Sequence, residues 1–447
     1  MPPLKILPSG SIEAIVRPPG SKSLTNRALL IAALATGETV LEGVLDSEDT
    51  QIMFEALKTL GLRTKYDPEA ARMIVEGYGG DFPVRQAELY VGNSGTTARF
   101  LTAALALAPG SKAYRIHGKP RMHERPIRDL IDALKMLGAN LRSENQDGCP
   151  PLLIGESLYG QADWNTSGSE GRPIIASVKG NISSQFLSAL MLAAPLISRD
   201  NDIVLKITGE LVSKPYVEMT AKVMESFGVE TWFFSPESSG GTITIPLGSV
   251  YKPCIYRIEP DASAASYFFA AAAVCGGQVT VEGLSASSLQ GDVGFVECLR
   301  QMGCSVQYAA DSITVRREPG VTLRGITVDM NAISDTVQTL SVVALFAEGA
   351  TRITNVPHIR HKETDRIRAV ATELRKIGAN VEEFNDGLLI HPPQERQFAE
   401  IDTYDDHRMA MSFAIAGLAN PGVAIRNPEC VEKTYPNFFG DLEKIVP

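Results

Sequence analysis

The sequence predicts an α/β protein of two similar lobes, with helices inside each lobe and sheets outside. Two observations predict this class. A helix rich in alanine, followed by a turn and a β-branched strand, recurs six times, and an amphipathic helix ending in glycine follows most of the copies. A repeated supersecondary unit indicates the architecture more directly than any single helix or strand does.

The Ala-rich segments are apolar on nearly all sides, which predicts buried helices. Their starts are separated by 73, 87, 79, 73 and 72 residues. This spacing exceeds the roughly 20–50 residues of a solenoid repeat, so each unit should hold strand, helix, strand, helix and strand. Six units then form two groups of three. The segments begin at Ser23, Thr96, Ser183, Ala262, Asp335 and His407.

The second helix type carries apolar residues at a spacing of three and four, which places one apolar stripe on the core. A glycine at the end of these segments supplies a left-handed helix stop. The segments span residues 49–61, 125–138, 214–228, 291–303 and 363–378, with a shortened copy at 434–445.

The opening strand, residues 11–17, precedes the first repeat and is not part of it. We expect this strand to complete the other lobe, with a second crossover near residues 251–259. The predicted lobes are therefore residues 20–256, and residues 1–19 together with 257–447. Two lobes joined by a two-crossover hinge suggest a cleft that can close.

Composition excludes several functional classes. The chain has 42 basic and 52 acidic side chains, a net charge of −10, which argues against a broadly basic nucleic-acid binder. Its longest apolar runs, such as residues 267–275, are far shorter than the roughly 18 residues of a membrane span. The six cysteines form no CxxC pair, as expected for reduced thiols. With no signal peptide evident, we expect a cytoplasmic protein that does not engage a membrane.

Metal and dinucleotide chemistry lack their usual motifs. No HExxH motif or Cys/His ligand set occurs, and no GxGxxG follows a predicted strand. We therefore expect neither a metal nor another cofactor.

Polar residues gather at the start of each Ala-rich helix. Helix starts present unpaired N–H groups and a positive dipole end, which favour anions. Each set alone also fits a helix cap, a turn or a solvent-facing charge, but equivalent placement in a repeat favours one shared anion site. The sets are Gly20–Ser23 with Arg27, Asn93–Thr97 with Arg99, Ser183–Gln185, Asp261–Ser263, Ser334–Asp335 and Asp405–Arg408.

Together the motifs resemble those of the enolpyruvyl transferases, in particular the branch that acts on shikimate 3-phosphate in the shikimate pathway of aromatic amino-acid biosynthesis. The resemblance runs from about Leu4 to the end, in family order. It implies two lobes of three βαβαββ units, an inside-out α/β barrel. It also implies transfer of the enolpyruvyl group of phosphoenolpyruvate to the 5-hydroxyl of shikimate 3-phosphate, releasing phosphate without a metal. The motifs are GSKSLTNR, GNSGTTAR, RMHERPIRDL, ISSQF, LVSKPY, DASAAS, KETDRI, YDDHRMAM and KTYPNFF.

The resemblance also implies the ligand residues. Both substrates carry phosphate and carboxylate groups, which require Arg and Lys. Arg27 would take the carboxylate of shikimate 3-phosphate, and the serines with Lys362 its phosphate. The shikimate 3-phosphate set is Lys22, Ser23, Arg27, Ser183, Ser184, Gln185, Ser213, Tyr216, Asp335 and Lys362. The phosphoenolpyruvate set is Lys22, Gly95, Arg125, Gln185, Arg366, Arg408 and Lys433.

The implied reaction is an addition followed by an elimination. Asp335 is the candidate base for the 5-hydroxyl, while Glu363 and Lys22 are candidates for moving the proton at C3 of phosphoenolpyruvate. The family's GNAGTAMRP form becomes GNSGTTARF here, so Phe100 replaces a proline and is expected to alter the helix start. Gly95 is retained, so we expect sensitivity to the family's inhibitor glyphosate.

Other functions stay open at this stage. The sister enzyme that uses UDP-N-acetylglucosamine shares the fold, but its mobile loop carries a reactive cysteine that residues 118–127 lack. A non-catalytic polyanion-binding scaffold would gain nothing from carboxylates beside its anion ligands. His358 stands where several family members have Asn and receives no role. We expect a monomer.

Overall fold

The computed structural model describes residues 2–110, 112–156, 172–234 and 240–447. Residue 1 and the other omitted positions of the predicted lobes lie outside the described residues. Among the helices of these ranges, none is both long and apolar enough to cross a membrane.

Helices and strands alternate along the chain, as the repeat predicts. The helices are α1 Lys22–Leu34, α2 Glu48–Thr59, α3 Gly95–Leu107, α4 Arg128–Met136, α5 Ser184–Ala193, α6 Lys214–Ser226, α7 Ala262–Cys275, α8 Phe295–Gln301, α9 Val337–Val343, α10 Arg366–Lys376, α11 His407–Ala419 and α12 Phe438–Lys444. The strands are β1 Leu4–Lys5, β2 Ile12–Val16, β3 Thr36–Glu42, β4 Arg63–Asp67, β5 Arg72–Tyr78, β6 Gln86–Tyr90, β7 Ala113–His117, β8 Leu141–Ser143, β9 Leu152–Ile154, β10 Ile174–Lys179, β11 Ile203–Thr208, β12 Trp232–Phe234, β13 Thr242–Ile245, β14 Ile255–Arg257, β15 Gly277–Glu282, β16 Ser305–Tyr308, β17 Ser312–Arg317, β18 Leu323–Arg324, β19 Thr327–Asp329, β20 Ala347–Glu348, β21 Thr351–Thr354, β22 Asn380–Phe384, β23 Gly387–His391, β24 Ala399–Ile401 and β25 Val423–Ile425.

The chain divides into two compact units. The continuous unit contains residues 20–258, and the split unit combines residues 1–19 with 259–447. The second boundary falls two residues later than the sequence placed it, because Arg257 pairs with Glu42 of β3 and the backbone N–H of Ile258 donates to Glu42. These contacts keep the end of β14 and the residue after it in the continuous unit.

The same sheet pattern recurs in both units. In the continuous unit the strand orders are β14-β3-β5-β4, β6-β7-β9-β8 and β10-β11-β13-β12. The first two strands of each sheet are parallel and the next two join antiparallel. The split unit repeats this order in β2-β15-β17-β16 and β19-β21-β23-β22, and a smaller sheet runs β1-β25-β24.

The opening strand behaves as the sequence predicts. Strand β2 runs parallel to β15 of the split unit, with Ile12 opposite Gly277. The corresponding position in the continuous unit is filled by β14, parallel to β3. The two units therefore exchange their first strands, which produces the two crossovers.

The Ala-rich helices are buried along almost their whole length, whereas the strands alternate buried and exposed residues. This places helices inside each unit and sheets outside, as predicted. The glycines that end five amphipathic segments all have positive φ angles and form the expected left-handed stops: Gly61, Gly138, Gly228, Gly303 and Gly378.

The fifth Ala-rich copy differs from the others. Residues Asn331–Thr336 form a 3-10 helix, and the α-helix begins only at Val337. Asp335, which the sequence places at the helix start, therefore lies in the tighter 3-10 turn. Phe100 does not interrupt α3, which runs unbroken from Gly95 to Leu107. That it alters the helix start relative to the proline form stays a prediction.

Close packing of the N-terminal segment on α11 generates a testable prediction. A Cβ added at Gly417 would lie 2.5 Å from the Cβ of Ile6. Gly417→Ala is expected to lower the free energy of unfolding by about 1–3 kcal/mol, because overpacking forces the backbone apart. The measurement is urea-induced unfolding.

Gly10→Ala is the matched control, since a Cβ at Gly10 meets nothing within 4 Å. A Gly417→Ala variant as stable as this control would contradict the packing of the N-terminal segment on α11.

Candidate active site

Arg27 is the most deeply buried cation of the continuous unit, at 2% exposure. Its Nε donates to Thr220 Oγ1 at 2.8 Å, and its Nη1 donates to the carbonyl of Ser23 at 2.9 Å. Its Nη2 donates to Ser188 Oγ and to the carbonyl of Tyr216, both at 3.3 Å. All four acceptors are neutral. Burial lowers the pKa of Arg27 to about 10, so the group stays charged near neutral pH.

Lys22 begins α1, directly after the cap. The Oγ of Ser21 accepts from the backbone N–H of Leu24 at 3.4 Å, which fixes the first turn. The Lys22 Nζ lies 3.7 Å from Oδ2 of Asp49, a carboxylate with a side chain that is only 3% exposed. The ammonium group is thus held beside the helix start.

Gly95 and Arg125 are in direct proximity. Arg125 is 3% exposed and donates from Nη1 to the carbonyl and side-chain oxygens of Asn93, at 3.1 and 3.3 Å. A Cβ added at Gly95 would lie 2.4 Å from Nη2 of Arg125. The missing side chain of Gly95 therefore makes room for the guanidinium.

The starts of α3 and α5 also meet. Ser183 caps α5, and its Oγ accepts from the backbone N–H of Gln185 at 3.2 Å. The Gln185 Nε2 donates to Thr96 Oγ1 at 3.5 Å. Ser184, at the first position of α5, is 7% exposed. Two hydroxyls and an amide therefore stand at a helix N-terminus, the arrangement that suits a phosphate.

Ser213 and Tyr216 lie at the start of α6. Ser213 has a left-handed backbone, with φ of 52°, and its carbonyl accepts from the Tyr216 N–H at 3.1 Å. The hydrogen bond between Tyr216 and Arg27 uses the tyrosine's backbone carbonyl rather than its ring.

In the split unit, Arg366 binds three carboxylates. It is 1% exposed and donates from Nε to Asp406 at 2.7 Å, from Nη1 to Asp335 at 3.1 Å and from Nη2 to Glu363 at 2.9 Å. Burial opposes its charge, yet the carboxylates of Asp406, Glu363 and Asp335 raise the pKa of Arg366 above its ordinary value. The guanidinium therefore fixes both carboxylates proposed from the sequence.

Three further cations adjoin these carboxylates. Arg408 Nη2 donates to Asp335 Oδ2 at 2.8 Å. Lys362 Nζ lies 3.8 Å from Asp335 Oδ1, and Lys433 Nζ lies 3.8 Å from Glu363 Oε1. Every residue that the sequence assigned to the site in this unit thus joins one charged cluster.

Asp406 and Asp292 lie beside this cluster although the sequence assigned neither of them a role. Asp406 appeared there only as a member of the polar set at the start of α11. Asp406 is fully buried; its side chain caps α11 and closes on Arg366. Its place in the YDDHR motif was the available signal. Burial, and next the charge of Asp335, raise the pKa of Asp292 to about 6, while a short hydrogen bond from Ser263 opposes the shift. No sequence pattern marked Asp292.

His358 lies next to the same cluster. It is 5% exposed. Burial lowers the pKa of His358 to about 3, and the charge of Lys362 adds to the shift while Asp335 opposes it. The imidazole is therefore neutral in the folded protein at physiological pH.

Within the described residues, no group of three or more His, Cys, Asp or Glu side chains is arranged to hold a metal ion. The site residues instead offer guanidinium, ammonium, hydroxyl and backbone N–H donors with carboxylates beside them. Such a set can bind phosphate and carboxylate groups and can move protons.

Comparisons with known proteins agree on one family. A family model described as EPSP synthase (3-phosphoshikimate 1-carboxyvinyltransferase) matches residues 6–442. The chain is 47% identical to the chloroplastic 3-phosphoshikimate 1-carboxyvinyltransferase of Solanum lycopersicum, over 98% of this chain and 84% of that protein. It is 45% identical to the enzyme of the same name from Janthinobacterium sp. (strain Marseille), over 99% and 97%.

Solved structures share the fold. An EPSP synthase from Acinetobacter baumannii superposes with a TM-score of 0.77 at 24% identity, covering 99% of this chain and 98% of that one. The enolpyruvyl transferase NikO from Streptomyces tendae gives a TM-score of 0.72 at 19% identity, covering 99% and 97%.

The buried neutral His358 predicts a pH dependence of stability. The unfolded histidine binds a proton below pH about 6.5, whereas the folded one does so only near pH 3, so stability is lost as the pH falls through this window. Between pH 7.5 and 5.5 the loss attributable to His358 is about 1.4 kcal/mol. Urea unfolding of wild type and His358→Asn at both pH values measures it.

Between pH 7.5 and 5.5, His358→Asn should lose about 1.4 kcal/mol less of its free energy of unfolding than the wild type. His391→Asn, at a histidine of β23 whose side chain is 44% exposed, is the control. Equal pH dependence in wild type and His358→Asn would contradict the prediction.

Proposed function

The chain belongs to the EPSP synthase (3-phosphoshikimate 1-carboxyvinyltransferase) family, and from this premise we propose how its own residues perform the family's reaction. The enzyme transfers the enolpyruvyl group of phosphoenolpyruvate to the 5-hydroxyl of shikimate 3-phosphate and releases phosphate, a step of the shikimate pathway to aromatic amino acids. Its substrates are therefore two polyanions.

Arg27 is assigned to the carboxylate of shikimate 3-phosphate. The observation that supports this assignment most is the neutrality of all four acceptors of its guanidinium. These acceptors use four of the five N–H groups of the side chain, and none of its hydrogen-bond partners in the described part of the chain is a carboxylate. A buried guanidinium whose hydrogen-bond acceptors are neutral favours a carboxylate ligand. Ser23, whose carbonyl holds Arg27, belongs to the same subsite.

The phosphate of shikimate 3-phosphate is assigned to the serines and Lys362. Ser183 and Ser184 stand at the N-terminus of α5, where the dipole and backbone N–H groups attract anions. Ser213 is assigned with them because it stands directly before α6, where its backbone is left-handed. Lys22, Gln185, Tyr216 and Asp335 complete the proposed shikimate 3-phosphate set.

Phosphoenolpyruvate is assigned to a second set rich in cations. Arg125 supplies a buried guanidinium, and Gly95 allows close approach of the backbone. Several cations offset the mutual repulsion of two polyanionic substrates and stabilise charge that develops in the transition state. The remaining members are Lys22, Gln185, Arg366, Arg408 and Lys433.

The proposed chemistry is addition followed by elimination. In the addition, Asp335 takes the proton of the 5-hydroxyl while the hydroxyl oxygen of shikimate 3-phosphate attacks C2 of phosphoenolpyruvate. Glu363 or Lys22 delivers a proton to C3. In the elimination C3 loses a proton and the bond from C2 to the phosphate oxygen breaks. Two arginines hold the Asp335 carboxylate in place, since its Oδ1 accepts from Arg366 and its Oδ2 accepts from Arg408.

The alternatives from the sequence are less well supported. The sister enzyme that uses UDP-N-acetylglucosamine shares the fold, but the family match and the curated relatives carry the name of the 3-phosphoshikimate enzyme. A polyanion-binding scaffold does not explain why Asp335 and Glu363 are held beside the cations.

Three finer predictions accompany the proposal. Glyphosate inhibits the enzyme, since Gly95 is retained. The enzyme acts as a monomer. Cytoplasmic localisation also stays a prediction, because the plant relatives are chloroplastic.

Removal of Asp335 tests the chemistry. In Asp335→Ala, kcat is expected to fall by about 10²–10⁴-fold, the usual contribution of a general base, while the Kd of each substrate stays within about tenfold. The measurement is phosphate released from phosphoenolpyruvate with and without shikimate 3-phosphate, with UDP-N-acetylglucosamine as the alternative acceptor.

Glu297→Gln, at a surface ion pair with Arg300, is the control and should keep wild-type turnover. Near-normal turnover in Asp335→Ala would remove Asp335 as the base. Phosphate release driven by UDP-N-acetylglucosamine alone in the wild type would overturn the substrate assignment.

Substitution of Gly95 tests the phosphoenolpyruvate subsite. The added methyl of Gly95→Ala would displace the Arg125 guanidinium, because its Cβ would lie 2.4 Å from Nη2. We expect a rise of about tenfold in the KM for phosphoenolpyruvate, equivalent to about 1.4 kcal/mol, and weaker inhibition by glyphosate. Inhibition curves of wild type, Gly95→Ala and the Gly10→Ala control measure both. A wild type unaffected by high glyphosate would refute the predicted sensitivity.

A further inference from the structure

The ring of Phe100 lies over the guanidinium of Arg27. The Cζ of Arg27 is 5.2 Å from the ring centroid, within the distance at which a cation and an aromatic face attract each other. Phe100 is fully buried on α3, and Arg27 is nearly so on α1. The pair is therefore shielded from water, where this attraction is strongest.

The other contacts of Arg27 act only at the edge of its plane. Hydrogen bonds reach Ser23 of α1, Ser188 of α5, and Thr220 and Tyr216 of α6. The N–H groups of a planar guanidinium point within its plane. These hydrogen bonds therefore resist movement of the Arg27 guanidinium within its plane more than they resist tilting of that plane. Among the described residues, the ring of Phe100 lies over a face of the Arg27 guanidinium.

Phe100 places an electron-rich face against a buried cation whose charge Tyr216 and Tyr256 also favour. The acceptors around Arg27 are hydroxyls and carbonyls, none of them a carboxylate. An aliphatic side chain would fill the same space but would present no negative face. Packing alone therefore does not account for an aromatic residue at this position.

We propose that Phe100 is a positioning residue for shikimate 3-phosphate. Its ring holds the plane of Arg27 so that the N–H left over by the protein acceptors stays available to the substrate carboxylate. This inference rests on the proposed assignment of Arg27 to that carboxylate. It adds a specificity-determining residue at the position where the sequence departs from the family's proline.

The position of Phe100 on α3 gives a selective readout. The same helix begins at Gly95, which is assigned to phosphoenolpyruvate. Damage to α3 as a whole would therefore change the KM for phosphoenolpyruvate, whereas loss of the ring over Arg27 changes the KM for shikimate 3-phosphate. The two outcomes separate positioning from general packing.

The experiment compares Phe100→Leu and Phe100→Met, which remove the ring but retain apolar bulk, in steady-state kinetics with each substrate varied. We expect the KM for shikimate 3-phosphate to rise by about 5- to 30-fold, the range of a desolvated cation–π contact. The kcat and the KM for phosphoenolpyruvate should stay within about twofold. Either variant that folds, as judged by thermal melting, decides the question.

Phe54→Leu is the matched control. Phe54 is also a buried ring of the continuous unit, on α2, and packs edge-on against Tyr66 with the ring centroids 6.2 Å apart, so its loss costs packing at a contact other than the one with Arg27. It should leave the KM for shikimate 3-phosphate unchanged. The proposal is overturned when Phe100→Leu leaves that KM unchanged, or raises the KM for phosphoenolpyruvate as much.

Arg27→Gln distinguishes this failure from failure of the proposed function. An unchanged KM for shikimate 3-phosphate in Arg27→Gln would overturn the assignment of Arg27 itself. A raised KM in Arg27→Gln, with no effect of Phe100→Leu, would overturn only the role of Phe100. In the double variant, Phe100→Leu should add less than about twofold, because the ring no longer faces a cation. Full additivity in the double variant would also overturn the proposal.

Discussion

Burial of arginine within apolar helical cores is the constraint on which the rest of this structure depends. The Ala-rich helices are apolar on nearly all sides, and the charged side chains that they bury, such as Arg27, Arg99 and Arg408, lie in their first two turns. A guanidinium placed there must have its donors satisfied or the unit would not fold. Arg27 and Arg366 are the largest of the fully buried side chains, and the structure satisfies them in opposite ways.

Arg366 is compensated by carboxylates and Arg27 by neutral acceptors and a ring. The first arrangement produces a charged cluster in which Arg366 holds Asp335 and Glu363, the residues proposed for proton transfer. The second arrangement leaves Arg27 with neutral acceptors, which is why we propose it as the carboxylate-binding residue. The same residue type therefore has different surroundings in the two units, because of the neighbours that the fold provides.

Much of the fold follows from local pattern. Alanine content predicted the buried helices, the glycines with positive φ ended the amphipathic ones, and the surplus strand before the first repeat predicted the exchange between β2 and β14. The continuous unit ends at residue 258, within residues 251–259 where the sequence expected the second crossover, and strand pairing with Glu42 fixes that end. The 3-10 turn at Asp335 was not predicted, since a segment of six residues is too short to show a period.

The repeat, the helix caps and the residue types of the site can be read from the chain alone, because each depends on neighbours within a few positions. Which of these groups meet is settled by packing between elements that are far apart in the chain. Thr220 contacts Arg27 across 193 positions and Asp406 contacts Arg366 across 40, and Phe100 faces the same Arg27 from another helix. Such pairs depend on how helices pack within a unit, and no local periodicity encodes a partner that distant.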